Sequence, residues 1–233
     1  MKILNEFGIT PTRNHTAAGY DFYIPNINKT VEESEDILNA FSKSYKKSVD
    51  ELKDLINKLY LQISAVYGED KVENNEMNIL MLYLALDSSH LEDNEYKIEK
   101  FVDDWLIFDE NNKAGINAKF GDHVFFNTGI HTYFEHGKCG LFVNKSGKGT
   151  KGWDIRACLV DEDYTGFVHL SLSFTKLNAT QDGNIYVGDK LTQMMVLTVD
   201  QDNVEELSKD EYDALTNEST RGSSGFGSSD EKH

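Results

Sequence analysis

Ala157-Cys158-Leu159-Val160-Asp161-Glu162-Asp163-Tyr164-Thr165-Gly166-Phe167 is the stretch whose reading decides the fold. Apolar residues lead into an acidic turn and a strand pattern resumes at Phe167, which together predict a β-hairpin. A solvated acidic turn is common on a chain this acidic. The functional reading puts one carboxylate at the tip to activate a water, with Tyr164 beside it to pack on a sugar. Outward from the hairpin, the short runs Val124–Phe126, Gly140–Val143, Phe167–Phe174 and Gln193–Val199 are separated by Gly, Asn and Asp. From Gly115 onward this pattern predicts a compact antiparallel β domain.

Upstream the period changes. Between Thr30 and about Phe108 the spacing is helical. Thr30 with Glu33 fits a capping box. Tyr45, Val49, Leu52, Ile56, Leu59, Ile63 and Val66 then form one amphipathic stripe. Gly68–Asn75 interrupts it, and Met77–Leu86 is apolar nearly all round, as a covered central helix would be. Asp93 can cap a third helix with a stripe through Ile98, Phe101, Trp105 and Phe108. Three helices predict a small helical subdomain whose stripes serve chiefly for mutual packing. Near the C-terminus Ser208 and Glu211 predict a short capped helix, and Gly and Ser dominate Ser219–Ser229, which predicts a flexible arm.

Composition narrows the function. The 233 residues carry 23 Lys and Arg against 40 Asp and Glu, a formal charge of −17. So acidic a chain is no general nucleic-acid or anionic-membrane binder. A phosphate ligand would need a local cluster of cations and backbone N–H groups, with a divalent cation to assist. Cys139 and Cys158 fit neither a zinc cage nor a disulfide framework and read as free thiols. No apolar run reaches membrane-spanning length and none near Met1 resembles a secretory segment, so a cytoplasmic location is expected.

Four further segments carry chemistry. Ala17–Phe22 holds Asp21 between aromatic residues. Lys145-Ser146-Gly147 opens a Gly/Lys loop that Asn144 and the absence of a following helical pattern exclude as a P-loop. Gly188–Met195 is a turn entering an apolar strand. Arg221–Ser229 sets one Arg and one Phe among glycines that let backbone N–H groups approach phosphates. Lys148, Lys151 and Lys190 read as solvated turn lysines, and Glu162 and Asp163 as solvated turn residues. The histidines show no ligand pattern, the nearest being His131, His136 and Cys139.

Taken in order, Ala17–Phe22, Lys145–Gly147, Val160–Gly166, Gly188–Met195 and Arg221–Ser229 resemble the five motifs of the trimeric dUTPase family, over roughly residues 1–28 and 115–230. The resemblance implies a mainly β fold, a dUTPase-like antiparallel β-barrel or jelly roll, here with an inserted three-helix subdomain and a C-terminal arm. The division it implies is a β domain over 1–29 and 109–205, a helical insertion over 30–108 and the arm over 206–233. It also implies hydrolysis of dUTP to dUMP and pyrophosphate by a homotrimer, with Mg2+ bound through the substrate phosphates and sites between subunits.

Carried over residue by residue, Asp161 would be the general base that activates water. Lys145, Ser146, Gly147 and Gln193 would hold phosphates, and Asp21 would sit near the metal's water shell. Tyr164 would pack on the deoxyribose and exclude UTP. Arg221 would hold the γ-phosphate, Phe226 would lie over the uracil, and Gly225, Gly227 and Ser228 would line the closing arm.

Three departures stand out. Lys145 replaces the usual Arg and loses its planar fork. Cys158 takes the place of a Gly, and Ile155 that of the uracil-reading Asn, which leaves a broader dNTP pyrophosphatase as an alternative. The link from Asp21 to Thr128 is far longer than the family's. That insertion hints at a phage or viral source, and so at the host cytoplasm. It also offers faces for a protein partner, the basis of a second alternative: a nucleotide-switched regulatory protein. A dCTP deaminase, which shares the β fold, is disfavoured because His169–Phe174 contains no Glu.

Overall fold

The computed structural model describes residues 1–86, 96–177, 182–200 and 204–218. They divide into two compact units, residues 1–199 and 200–233. The second contains the expected C-terminal helix, Lys209–Thr216, with Ser208 and Glu211 forming a reciprocal capping box.

The first unit opens with β1 (Lys2–Asn5) and β2 (Tyr20–Tyr23). Helices α1 (Glu35–Tyr45), α2 (Val49–Tyr67), the single turn α3 (Glu69–Val72), α4 (Glu76–Ala85) and α5 (Tyr96–Asp104) follow. The remainder is β, interrupted by the single turn α6 (Ser146–Gly149). Its strands are β3 (Leu106–Phe108), β4 (Ala114–Asn117), β5 (His123–Tyr133), β6 (Lys138–Asn144), β7 (Trp153–Ile155), β8 (Leu159–Val160), β9 (Phe167–Phe174), β10 (Asn184–Tyr186) and β11 (Lys190–Thr198). They form three antiparallel sheets, ordered β1-β5-β9-β7, β10-β4-β3 and β2-β11-β6-β8.

The helical stripe is real but broken. Leu52, Ile56, Leu59 and Ile63 are buried on α2 as their spacing predicts. Between Tyr45 and Val49, however, Lys46 turns left-handed with φ 55°, and Ser48 restarts the chain as the cap of α2. Ser48 Oγ accepts from Glu51 N–H (3.2 Å) and Glu51 Oε2 accepts from Ser48 N–H (2.5 Å). The stop releases Tyr45 from the stripe. Its hydroxyl donates to Phe125 O (3.0 Å) and accepts from Asn127 N–H (3.2 Å) on β5, and burial pushes its pKa well up. Beside it, Asn127 Nδ2 donates to Ser44 Oγ at 2.7 Å. The end of α1 is thus fastened to the sheet.

Thr30 and Glu33 make their reciprocal bonds at 3.4 and 3.2 Å, but around a turn, and α1 begins only at Glu35. The subdomain therefore has α1, α2, α3, α4 and α5 where three helices are expected. The α5 stripe also ends early. Trp105 and Phe108 lie beyond Asp104, and Leu106–Phe108 pairs with β4 as β3. Trp105 Nε1 donates to the buried Asp122 carboxylate at 2.6 Å, which turns the indole toward the sheets. Asp93 lies outside the described residues.

Met77–Leu82 is buried all round on α4, as its composition predicts. Its one polar residue there, Asn78, is satisfied by Ile27, accepting from the N–H at 2.8 Å and donating to the carbonyl at 3.4 Å. Helices and sheets share one hydrophobic core, in which Phe41, Leu80 and Phe101 join Phe126, Leu170 and Phe174. Cys139 and Cys158 are both free.

Candidate active site

Three of the five chemistry-bearing segments meet at one end of the sheet β2-β11-β6-β8. In its register Asp21 lies opposite Gln193, and Thr192 lies opposite Asn144, the residue before Lys145. Gly19 packs closely on β11: a Cβ there would stand 3.0 Å from Met194 O and 3.1 Å from Gln193 Cβ, a tight fit. That close approach lets β2 bring Asp21 to the edge of the sheet.

There Asp21 accepts from two lysines. Lys145 Nζ reaches Oδ1 at 2.7 Å and Lys190 Nζ reaches Oδ2 at 2.9 Å. Partial burial pushes the Asp21 carboxyl up, but the hydrogen bonds and charges of Lys145 and Lys190 outweigh it and hold the group below the usual carboxylate range. The same bond to Asp21 raises Lys190. A few residues away Lys148 Nζ pairs with Asp189 Oδ2 at 2.9 Å. Lys148 and Lys190 are therefore ion-paired, not simply solvated, and the carboxylate of Asp189 is a part of the cluster that its sequence context does not single out. Ser146 and Gly147 are exposed beside them, and Gln193 is half-buried. On a chain of charge −17 this end gathers cations around a single exposed loop.

The third segment lies elsewhere. β8 pairs with the opposite end of β6, with Val160 facing Gly140. Asp161 follows directly, exposed, in a turn closed by Tyr164 N–H donating to Asp161 O at 3.3 Å. Tyr164 is half-exposed and donates its hydroxyl to Phe167 O at 2.8 Å, and burial raises its pKa. Val160, the residue before Asp161, pairs with Gly140 near the start of β6, whereas Lys145 follows Asn144 at its end. The four strand residues from Gly140 to Asn144, at about 3.4 Å each, put these two points roughly 14 Å apart. Within one chain, then, Asp21, Lys145, Ser146 and Gln193 come together, and Asp161 and Tyr164 do not join them.

Glu162 is not a solvated turn residue. Its carboxylate accepts from Gly137 N–H at 2.6 Å and stands 2.9 Å from His136 Nδ1. His131 supports the same turn, with Nδ1 2.9 Å from Thr165 O and Nε2 3.0 Å from Glu6 Oε1. No spacing pattern marks either contact, because both join residues distant in the chain. Among the described residues no group of three or more His, Cys, Asp or Glu could hold a metal. Ile155 donates its N–H to Asn144 Oδ1 at 2.8 Å, and the Cys158 carbonyl accepts from Phe142 at 2.7 Å. A cleft of about 350 Å³ opens beside Tyr164, lined on its other side by Asp36, Asn39 and Lys43 of α1. Arg221, Gly225, Phe226, Gly227 and Ser228 lie outside the described residues.

A family model for dUTPase matches residues 107–230, from β3 to the end of the fifth segment. A point mutant of the dUTPase of Staphylococcus bacteriophage 80alpha, solved with dUpNHpp, is similar in fold: TM-score 0.51 at 12% identity, over 98% of this chain and 96% of that one. A point mutant of the dUTPase from phage phi11 of S. aureus aligns at TM-score 0.44 and 13% identity, over 89% and 96%. No curated protein matches.

Proposed function

We propose the following mechanism for this chain, which belongs to the dUTPase family: dUTP is split into dUMP and pyrophosphate by a water that Asp161 activates. As a dUTPase it is a dUTP diphosphatase, a hydrolase acting on a phosphoric anhydride. The observation that carries the mechanism is the cationic cluster around Asp21, set at the far end of β6 from Asp161.

Lys145, Ser146, Gly147 and Gln193 receive the phosphates, whose oxygens displace Asp21 as the partner of Lys145. Gln193 and Ser146 hydrogen-bond the charge that shifts onto the leaving pyrophosphate. Asp161, exposed and acting as a carboxylate, takes the proton from the attacking water as it approaches the α-phosphorus. Tyr164 packs against the deoxyribose and leaves no room for a 2′-hydroxyl. Arg221 and Phe226 close over the γ-phosphate and the base, with Gly225, Gly227 and Ser228 supplying close backbone approach. Closure expels water and strengthens each polar contact inside.

The residues fit a Mg2+ ion that arrives on the triphosphate. The described carboxylates form no cage of their own, and Asp21 is kept ionised where it can accept from the metal's waters. When bound, such an ion would supply charge neutralisation to the triphosphate and help align it for in-line attack. Because Asp161 and Lys145 stand at opposite ends of one sheet, the reading requires one subunit's Asp161 turn to face another's lysine cluster, as in a homotrimer.

Pyrophosphate release in Mg2+ from dUTP, dCTP, dTTP and UTP, with D161N as control, tests this. Release from dUTP alone, abolished in the variant, is the expected result. Release from several deoxynucleotides would mean that Ile155 and Cys158 leave the base unread; no release from any would overturn the reading. The cleft between α1 and Tyr164 favours a second role, in which a protein bound at the helices senses the nucleotide. Partner binding that is insensitive to dUTP would rule that out.

A further inference from the structure

We propose that Glu162 is a positioning residue for hydrolysis, holding the Asp161 turn against the turn between β5 and β6. The proposal rests on Asp161 being the base, and it adds a residue that neither spacing nor charge singles out.

Asp161 is exposed, so its place is set by the backbone that carries it. Upstream, that backbone is held by the short strand β8, with Leu159 on Leu141 and Val160 on Gly140, and by Cys158 O accepting from Phe142 N–H at 2.7 Å. Downstream, β9 begins at Phe167, and Gly166 precedes it. Across the gap Glu162 reaches to the neighbouring turn with both oxygens. One is 2.9 Å from His136 Nδ1 and the other accepts from Gly137 N–H at 2.6 Å.

Charge-assisted bonds of this length are among the stronger hydrogen bonds in proteins. The donating N–H belongs to a residue that is itself held in place. Gly137 has φ 74°, a conformation that suits glycine, and its carbonyl accepts from Val199 N–H at 2.9 Å. The Glu162 side chain is 29% exposed while that of His136 is 85% exposed, so the backbone contact is the sheltered half of the clamp. Asp161 and Glu162 are adjacent, so freeing Glu162 frees the peptide that aims the base. A misplacement of about 1 Å can cost on the order of a hundredfold in rate.

The test compares E162A, E162Q and H136A with wild type and with D161N in the intact chain. It measures kcat for dUTP, binding of a non-hydrolysable imido analogue of dUTP, and thermal unfolding. E162A should lose about tenfold or more in kcat while analogue affinity changes less than about threefold. E162Q keeps an oxygen for Gly137 N–H and should recover most of the rate, and H136A should lose no more than about threefold. E135Q, a charge change on the same turn, should match wild type. Wild-type kcat in E162A, with D161N inactive, overturns the proposal and leaves the general base standing. Full activity in D161N overturns both. If E162A unfolds, E162Q decides: a loss of affinity equal to its loss of kcat assigns Glu162 a merely structural part and also overturns the proposal.

Discussion

Asp21 accepts a hydrogen bond from Lys145 at 2.7 Å across 124 positions of sequence, and shares its other oxygen with Lys190 at 2.9 Å. The pair joins the first, second and fourth segments, and it makes a carboxylate stand where a phosphate is expected to bind.

That pairing contributes to stability in a definite pH window. Asp21 is held below its ordinary value of 3.8, so its contribution is present above that pH and is lost as pH falls through the lowered value. D21N should therefore be less stable than wild type by about 0.5–1 kcal/mol at pH 7, with the gap closing in acid. Urea unfolding of both proteins from pH 7 to about pH 2.5 measures it. Equal stability of the two proteins at pH 7 would show that the ion pairs contribute nothing.

Lys145 occupies a place where a planar fork would bind phosphate in two directions. K145R should lower KM for dUTP by about threefold to tenfold, and K145M should raise it by more than about tenfold. Steady-state kinetics at fixed Mg2+ and ionic strength decide the matter. Equal KM values in all three would remove Lys145 from the phosphate site.

D161N should lose on the order of 10²–10⁴ in kcat while still binding an imido analogue. Because Asp161 and Lys145 lie at opposite ends of β6, the two impaired variants should complement each other. Co-refolded mixtures of D161N and K145M should regain part of the wild-type rate. No recovery in mixed oligomers would mean that each chain completes its own site.

Tyr45 binds both Phe125 O and Asn127 N–H in a buried position. Y45F leaves those two backbone groups unpaired and should cost about 1–2 kcal/mol, seen as a lower urea midpoint at unchanged slope. Turnover at about 20 °C should stay within about twofold, because the loss is shared by the folded core as a whole.

Deleting residues 219–233 should lower kcat/KM for dUTP by about a hundredfold or more, through loss of Arg221 and Phe226 from the closed site. Unchanged kinetics in the truncated chain would take the arm out of the mechanism.

Much of this was legible in order and in type. Phe167–Phe174 reads as a strand and is one to the residue, and Leu52, Ile56, Leu59 and Ile63 read as one buried face and form it. Ser208 and Glu211 announce a helix start that the chain obeys. These features depend on neighbours along the chain: side-chain period, turn residues and caps.

What the sequence by itself determined was therefore the family resemblance, the β character of the region that carries it, the presence of helices between Asp21 and Thr128, and the residue types at each segment. The tertiary structure alone decided that Lys46 breaks the long stripe, that Phe108 belongs to a strand, and that Lys148, Lys190 and Glu162 are held by distant partners. It also decided that Asp161 and Lys145 stand at opposite ends of one sheet. The physical reason is register: which residues face each other across strands is set by packing the whole core, and a shift of one residue would have turned every such side chain to the other face.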